Sequence, residues 1–262
     1  TLTIDVEKED FLVSDLNSLW KGEYLFSLYG KAFTPWEWHE PIFNEAKKLG
    51  LIYFSSAFDE TSVEFLETLH VPLYKVASFE NSHLPLIRKI ANTGKPMIIS
   101  TGMATLDEIE ETVETARESG CNNLVLLKCT SNYPASPDSA NLATIADLKK
   151  KFRCEVGLSD HTLGIGVSVA AVTLGASVIE KHITLTDNDR GVDSEFSMSE
   201  NEMKRLVNEC NKAVRAVGEI SYGPTEEELP SIKFRRSIYA IDDINIGDEL
   251  TPNNIGIIRP GY

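Results

Sequence analysis

The chain has 262 residues, 42% of them hydrophobic, a composition and length that suit an ordinary globular protein with a sizeable core. Its formal net charge of −15 argues against nucleic acid as a partner, because a phosphate backbone needs a basic face. No run approaches the ~20 apolar residues of a membrane span, and the opening TLTIDVEKED lacks the basic and apolar regions of a secretion signal, so the chain reads as cytoplasmic.

The first 33 residues hold one expected helix, around Asp15 to Tyr29, and no convincing strand. From about residue 34, β-like runs alternate with amphipathic helical runs. The β-like runs are LIYFSSAF, PLYKVASFE, PMIISTG, LVLLKCTS, EVGLSDH and SVIEKHITL. Each is aliphatic or β-branched until it turns polar at its end, the pattern of parallel strands covered on both faces. Between them, Thr34-Pro35-Trp36-Glu37, Thr105-Leu106-Asp107-Glu108 and Ser199-Glu200-Asn201-Glu202 match capping boxes, the first with proline at the first helical position. Leu106, Ile109, Val113 and Ala116 form one apolar stripe, and Met203, Leu206, Val207, Cys210, Val214 and Val217 another. Gly164 to Gly166 follows a strand without the rest of a dinucleotide fingerprint and reads as a helix entry.

Repeated βα units imply a doubly wound sheet or a TIM (β/α)8 barrel. Polar residues recur at nearly every strand end instead of at one switch point, which favours the barrel. Six βα units are legible, and a closed barrel needs eight, so the reading is a barrel lacking its first two strands in this chain. The barrel domain is assigned to residues 1–222, a polar linker to 223–233, and the beginning of a small β-rich module, cut short, to 234–262. Cys121, Cys129, Cys154 and Cys210 lie among apolar neighbours without C-x-x-C spacing, as reduced buried thiols do.

The C-terminal strand ends of a barrel form one rim, so their polar residues should converge. Glu180 and His182 are two apart on one expected strand and His161 closes its neighbour; two imidazoles with carboxylate support suit a divalent metal such as manganese. A hydrogen-bonded pair of core histidines is the alternative, and it is the convergence at adjacent tips that favours ligation. Ser56, Ser78, Ser100, Ser131 and Ser159, with Lys75 supplying charge, could cradle a phosphate and a carboxylate, although any one serine there is ordinarily a turn former. Lys75 alternates with Ala77 and Phe79, and Ser78 with Glu80, and a lysine inside an apolar strand is costly unless it is paired or used. Glu80 is the candidate proton carrier or sugar-hydroxyl contact. Asp160 could share in the chemistry or orient a neighbour. Trp20, Trp36 and Trp38 read as packing residues outside the rim, His39 and His70 as surface or helix-end residues, and His83, though close enough to Glu80 to reach the rim, as structural and outside the candidate site.

The residues LYKVASFE, ISTGMATLDE, LLKCTSNYP, VGLSDHTLG, VIEKHITL and DSEFSM resemble the sialic acid synthase family, and SFE with TPWEWH resembles its pseudaminic acid synthase branch. The resemblance spans the barrel portion and enters the C-terminal module, which is similar to the family's antifreeze-like (SAF) domain. It implies a transferase that condenses phosphoenolpyruvate with an N-acylated amino sugar to give a nonulosonic acid and phosphate by C–O cleavage. It further implies Mn2+ or Mg2+ on His161 and His182, and phosphoenolpyruvate on Lys75, Ser78, Ser100, Ser131, Ser159 and Ser56. Glu80, Tyr133 and Asp193 would contact the sugar, and Glu180 would support the metal or its water. Arg259 of the RPG turn would reach the acyl group across a domain-swapped homodimer. Ser131 stands where sialic acid synthases carry asparagine. The family's first strand supplies a glutamate and its second a lysine, which this reading finds missing, so the chain as written is expected to be inactive or incompletely folded without them. N-acetylneuraminate or legionaminate synthesis, or a catalytically dead sugar-phosphate-binding barrel, are the alternatives.

Overall fold

The computed structural model describes residues 8–16, 18–185 and 191–261. It divides into two compact units, Thr1–Val217 and Gly218–Tyr262. In the first, five parallel strands stand side by side in chain order: β1 (Tyr74–Val76), β2 (Met97–Ser100), β3 (Leu124–Cys129), β4 (Glu155–Ser159) and β5 (Ile179–Glu180). Helices α1 (Leu25–Ala32), α2 (Trp36–Lys48) and α3 (Glu60–Thr68) precede β1, while α4 (Leu84–Ala91), α5 (Leu106–Glu118), α6 (Thr144–Phe152) and α7 (Gly166–Thr173) are the crossovers between successive strands. Helix α8 (Glu200–Val217) follows β5. This strand order is that of an α/β half-barrel.

Strand parity separates the two faces. Tyr74, Val76, Met97, Ile99, Leu124, Leu126, Val156 and Leu158 join the buried cluster with Leu66, Leu86, Ile87, Ile90, Val113, Ile145 and Ala171 from the helices. Their neighbours in sequence point the other way, and the register Lys75↔Ile98, Ile98↔Val125 and Val125↔Glu155 keeps that alternation across the sheet. Lys75, Ser100, Cys129, Ser159 and Glu180 therefore share the inner face. Gly157 is required on that face: a Cβ there would lie 2.7 Å from Leu127 Cδ2 and closer still to the Val178 carbonyl.

The helix starts follow local chemistry. Thr105 and Glu108 form the expected reciprocal capping box on α5, and Glu202 accepts from the Ser199 N–H and hydroxyl at the start of α8. Gly166 opens α7, as the helix-entry reading requires. The expected box at Thr34 does not form, because α2 begins at Trp36 with Pro35 as its uncapped flanking residue. No described helix is long and apolar enough to cross a membrane.

Several expectations are corrected. The helix expected around Asp15 to Tyr29, a span that includes Asn17 outside the described residues, starts at Leu25; a Leu12–Tyr24 antiparallel bridge occupies the preceding stretch. LIYFSSAF forms no strand among the described residues and joins the sheet only through a parallel Ser56–Lys75 bridge, with Ala57 N–H donating to the Lys75 carbonyl. β1 ends at Val76 and Ser78–Glu80 coils into a 3-10 turn, so the expected alternation of Ser78 with Glu80 along a strand fails. Leu106 is exposed, and so are Val207, Val214 and Val217 of the α8 stripe. An 18-residue helix runs about 27 Å against about 12 Å for the 8 residues of α7, the helix it packs on, so its far end, with Val214 and Val217, extends past that neighbour.

His39 is buried, not at the surface. Its Nδ1 lies 3.2 Å from the Pro35 carbonyl and its Nε2 3.4 Å from Ser55 Oγ, edge-on to Phe43 and Phe65. His70 is an exposed helix-end residue in the left-handed region, as expected for that position. Trp36 stacks on Phe65 at 4.4 Å. All four cysteines are free thiols; Cys121 and Cys129 are buried, Cys154 and Cys210 only half-buried.

The second unit pairs β6 (Ser237–Ala240) antiparallel to β7 (Ile255–Ile258) after a 3-10 turn at Leu229–Phe234. No core forms within it among its described residues, since Ile238, Ile246 and Ile257 are exposed.

Candidate active site

The inner-face tips of β1 and β2 are joined through Lys75. Its ammonium donates to Ser100 Oγ at 2.8 Å and to the Val76 carbonyl at 2.9 Å, and stands 3.6 Å from Glu180 Oε2. Burial pulls the Lys75 pKa below its usual value, and the Glu180 charge opposes that shift. Glu180 is held on its other oxygen by Ser159 Oγ, which donates at 2.6 Å. Ser78 Oγ accepts from the Gly102 N–H at 3.1 Å, and Ser131 Oγ lies 3.7 Å from Cys129 Sγ. A Cβ on Gly102 would strike Ser131 Oγ and come within 2.7 Å of Ser78 Oγ, so three strand tips meet here with no room to spare. Ser56 lies beside this group through its bridge to Lys75.

Glu80 follows on the 3-10 turn, with a buried Oε2 that has no hydrogen-bond partner among the described residues. Burial raises its pKa to about 6 against the pull of Lys75. A buried carboxyl oxygen without a partner at the rim is suited to meet a ligand hydroxyl or hold a proton near neutral pH.

The two histidines converge at the tips of β4 and β5, with ring centroids 5.3 Å apart. His161 directs Nδ1 at the Thr130 carbonyl, 2.9 Å away, which assigns that nitrogen the proton and leaves Nε2 as the lone pair. Its pKa is pulled down by burial and raised on balance by Cys129 and the Thr130 carbonyl. His182 Nδ1 lies 3.5 Å from Asp193 Oδ2. β5 ends at Glu180, so His182 stands beyond the strand instead of sharing its pleat; the Met198 N–H donating to the His182 carbonyl at 2.8 Å holds it there. No group of three or more His, Cys, Asp or Glu side chains able to hold a metal forms among the described residues. Two imidazoles, each with Nδ1 facing an oxygen, fit a divalent ion completed by water and substrate.

An aromatic shell surrounds these rings. Tyr133 lies 4.3 Å from His161, Phe196 4.9 Å from His182, and Trp20 5.8 Å from Tyr133 with its indole N–H donating to the Val192 carbonyl at 3.0 Å. Trp20 is a packing residue, as expected, and the rings it packs against, Tyr133 and Phe196, are those that line the imidazole pair. Burial, then the Cys129, Asp193 and Glu180 charges, push the Tyr133 phenol up to about 12, so it stays a donor. Asp160 is an orienting residue: it accepts from the Thr162 N–H and hydroxyl, Ser168 Oγ and Lys181 Nζ, and the Lys181 pair is only 1% exposed on either side. That network fixes the turn carrying His161.

Sequence reasoning missed Cys129 as an inner-face residue. Burial raises its thiol pKa, but hydrogen bonds to His161, Ser78 and Ser131 outweigh that and bring it to about 7. Its parity with Lys75 and Ser159 was available only once the register was known. Gly102 and Phe196 were within quoted motifs, but nothing in their residue type marks them. Arg259 is exposed in the second unit.

Comparison with known proteins agrees with this geometry. The model of the NeuB family matches residues 1–222. The chain is 41% identical over 262 residues to a pseudaminic acid synthase of Campylobacter jejuni, covering 100% of the chain and 76% of that protein. It is 39% identical over 225 residues to the N,N'-diacetyllegionaminic acid synthase of the same species, covering 85% of the chain and 67% of that protein. The crystal structure of an N-acetylneuraminic acid synthetase from Leptospira borgpetersenii superposes with a TM-score of 0.71 at 30% identity, covering 77% of this chain and 70% of that one. The half-barrel, its inner-face polar tips and these matches together place the chain in the NeuB, or sialic acid synthase, family.

Proposed function

We propose that the protein is a phosphoenolpyruvate-dependent nonulosonic acid synthase of the pseudaminic type, condensing phosphoenolpyruvate with an open-chain N-acylated amino sugar. The observation that carries this reading is the juxtaposition on one face of a buried lysine with its serine partners and, beyond Glu180, a pair of imidazoles. Lys75, Ser78, Ser100, Ser131 and Ser159, with Ser56 at the edge, hold the phosphate and carboxylate of phosphoenolpyruvate. Glu80, Tyr133 and Asp193 face the sugar. His161 and His182 hold Mn2+ or Mg2+, with Glu180 supporting the ion or its water; when bound, the ion supplies Lewis acidity toward the sugar aldehyde oxygen.

With both substrates held, C3 of phosphoenolpyruvate forms a bond to the aldehyde carbon, leaving positive charge at C2. Water adds at C2, and the C2–O bond to phosphate then breaks to give the 2-keto acid. Of the two protons of that water, one ends on the former aldehyde oxygen and one on phosphate. The serine cradle keeps the anion fixed while C2 is cationic, and Glu180 beside Lys75 offsets that charge. A partly protonated Glu80, with its pKa near 6, is placed to pass a proton to the sugar oxygen.

The reading extends to a TIM-barrel architecture, with residues 234–262 belonging to an antifreeze-like module, in a cytoplasmic, domain-swapped homodimer. Arg259 would then meet the acyl group from the other subunit. Phosphate release from native full-length protein given phosphoenolpyruvate, Mn2+ and each candidate sugar tests the proposal. Turnover strongest with the pseudaminic precursor is expected. Preference for the sialic or legionaminic precursor moves the assignment to that branch, and no release with any sugar favours a dead barrel.

A further inference from the structure

We infer that Asn81 is a positioning residue for the anion cradle, a role that rests on the cradle reading above. Asn81 is 6% exposed, just past the Ser78–Glu80 turn. Its Nδ2 donates to two carbonyls on the tip of β2, those of Ser100 and Gly102, each at 3.3 Å. Only the NH2 end of the amide can face two acceptors, so the orientation is fixed by chemistry. Thr112 of α5 in turn donates to the Asn81 carbonyl at 2.7 Å.

The two carbonyls flank the residues that matter. Ser100 carries the hydroxyl that accepts from Lys75, and the Gly102 N–H holds Ser78 Oγ. The next residue, Met103, has φ of +66°, a conformation strained for a non-glycine residue because its Cβ crowds the backbone. The tip therefore does not hold this shape by local preference. The Thr101 N–H and hydroxyl tie one side of the tip to the Leu127 carbonyl, and Asn81 supplies the restraint from the β1 side: by holding both carbonyls it helps to set the planes of the peptides on either side of the cradle's contact with Ser78. Touching no substrate atom, it would act through Ser100 and Gly102.

Asn81→Asp keeps the volume and replaces the donor by a second acceptor against two buried carbonyls. Calorimetry on native full-length protein should show phosphoenolpyruvate binding weakened about tenfold or more. Mn2+ binding should change less than about twofold, because the imidazoles share no partner with Asn81. In turnover, KM for phosphoenolpyruvate should rise more than kcat falls. Thr112→Val, which frees the Asn81 backbone, should shift the same ligand in the same direction by less, and it decides the matter if Asn81→Asp does not fold. Unchanged phosphoenolpyruvate affinity in the folded variants, or equal losses for both ligands, overturns the inference while leaving the proposed function standing. Wild-type protein that binds no phosphoenolpyruvate overturns both.

Discussion

The two halves of the site are held in place by different physics. On the β1–β2 side, Lys75, Ser78, Ser100 and Gly102 are fixed by hydrogen bonds that cross from one strand tip to the next. On the β4–β5 side, His161 and His182 are set in ring packing against Tyr133 and Phe196, backed by Trp20 on those two rings, with His161 Nδ1 facing the Thr130 carbonyl and Cys129 Sγ and His182 Nδ1 facing Asp193. Hydrogen bonds are directional and respond to the loss of a single donor, whereas packing responds to volume. The anion half should therefore be sensitive to near-isosteric polar changes, and the imidazole half to truncation.

The severest test of this contrast removes the imidazoles themselves. His161→Ala and His182→Ala should each abolish stoichiometric Mn2+ binding by calorimetry and lower phosphate release on the order of a thousandfold. Chelation of the native protein should do the same, with activity restored by Mn2+. Metal binding that persists in both variants would remove the imidazoles from the proposed chemistry. Next in size is Gly102→Ala, whose added methyl has no space between Ser78 and Ser131. Displacing those hydroxyls should cost on the order of a hundredfold in kcat/KM while Mn2+ affinity is retained, and equal damage to both ligands would erase the distinction between the halves.

On the packing side, Phe196→Leu should weaken Mn2+ binding about tenfold by loosening His182, with phosphoenolpyruvate affinity unchanged in the same titration. The smallest effect concerns Glu80. Its folded pKa near 6 lies above the ordinary 4.5, so the folded state holds this proton more tightly than the unfolded chain does. The associated stability is fully present below about pH 4.5 and is lost as pH rises through 6. Glu80→Gln should therefore gain thermal stability on wild type between pH 4.5 and pH 7, with little change above, as followed by melting curves. A constant difference across that range would show that burial does not disfavour the carboxylate.

Much of this arrangement was legible in the chain. The aliphatic runs around Tyr74, Met97, Leu124, Val156 and Ile179 announce parallel strands because a strand covered on both faces has no polar position until it ends. The polar residues at those ends, such as Ser100, Ser159 and Glu180, follow from the same rule, while Lys75 inside β1 breaks it. LIYFSSAF has the composition of a strand and yet pairs only at Ser56, because pairing depends on what lies alongside and composition does not report that. His39 was misjudged for a related reason: Ser55 and Phe65, which it meets, are separated from it by segments whose path the residues themselves do not specify.

By itself the sequence determined which residue types stand at the strand ends, how the helices of α5 and α8 begin, and which family the motifs resemble, since these depend on neighbours a few positions away. Only the tertiary structure decided that Asn81 braces β2, that Cys129 shares a face with Lys75, and that Trp20 packs on Tyr133 and Phe196. Such contacts join residues tens of positions apart, and they are set by register and crossover geometry, which no short stretch of chain encodes.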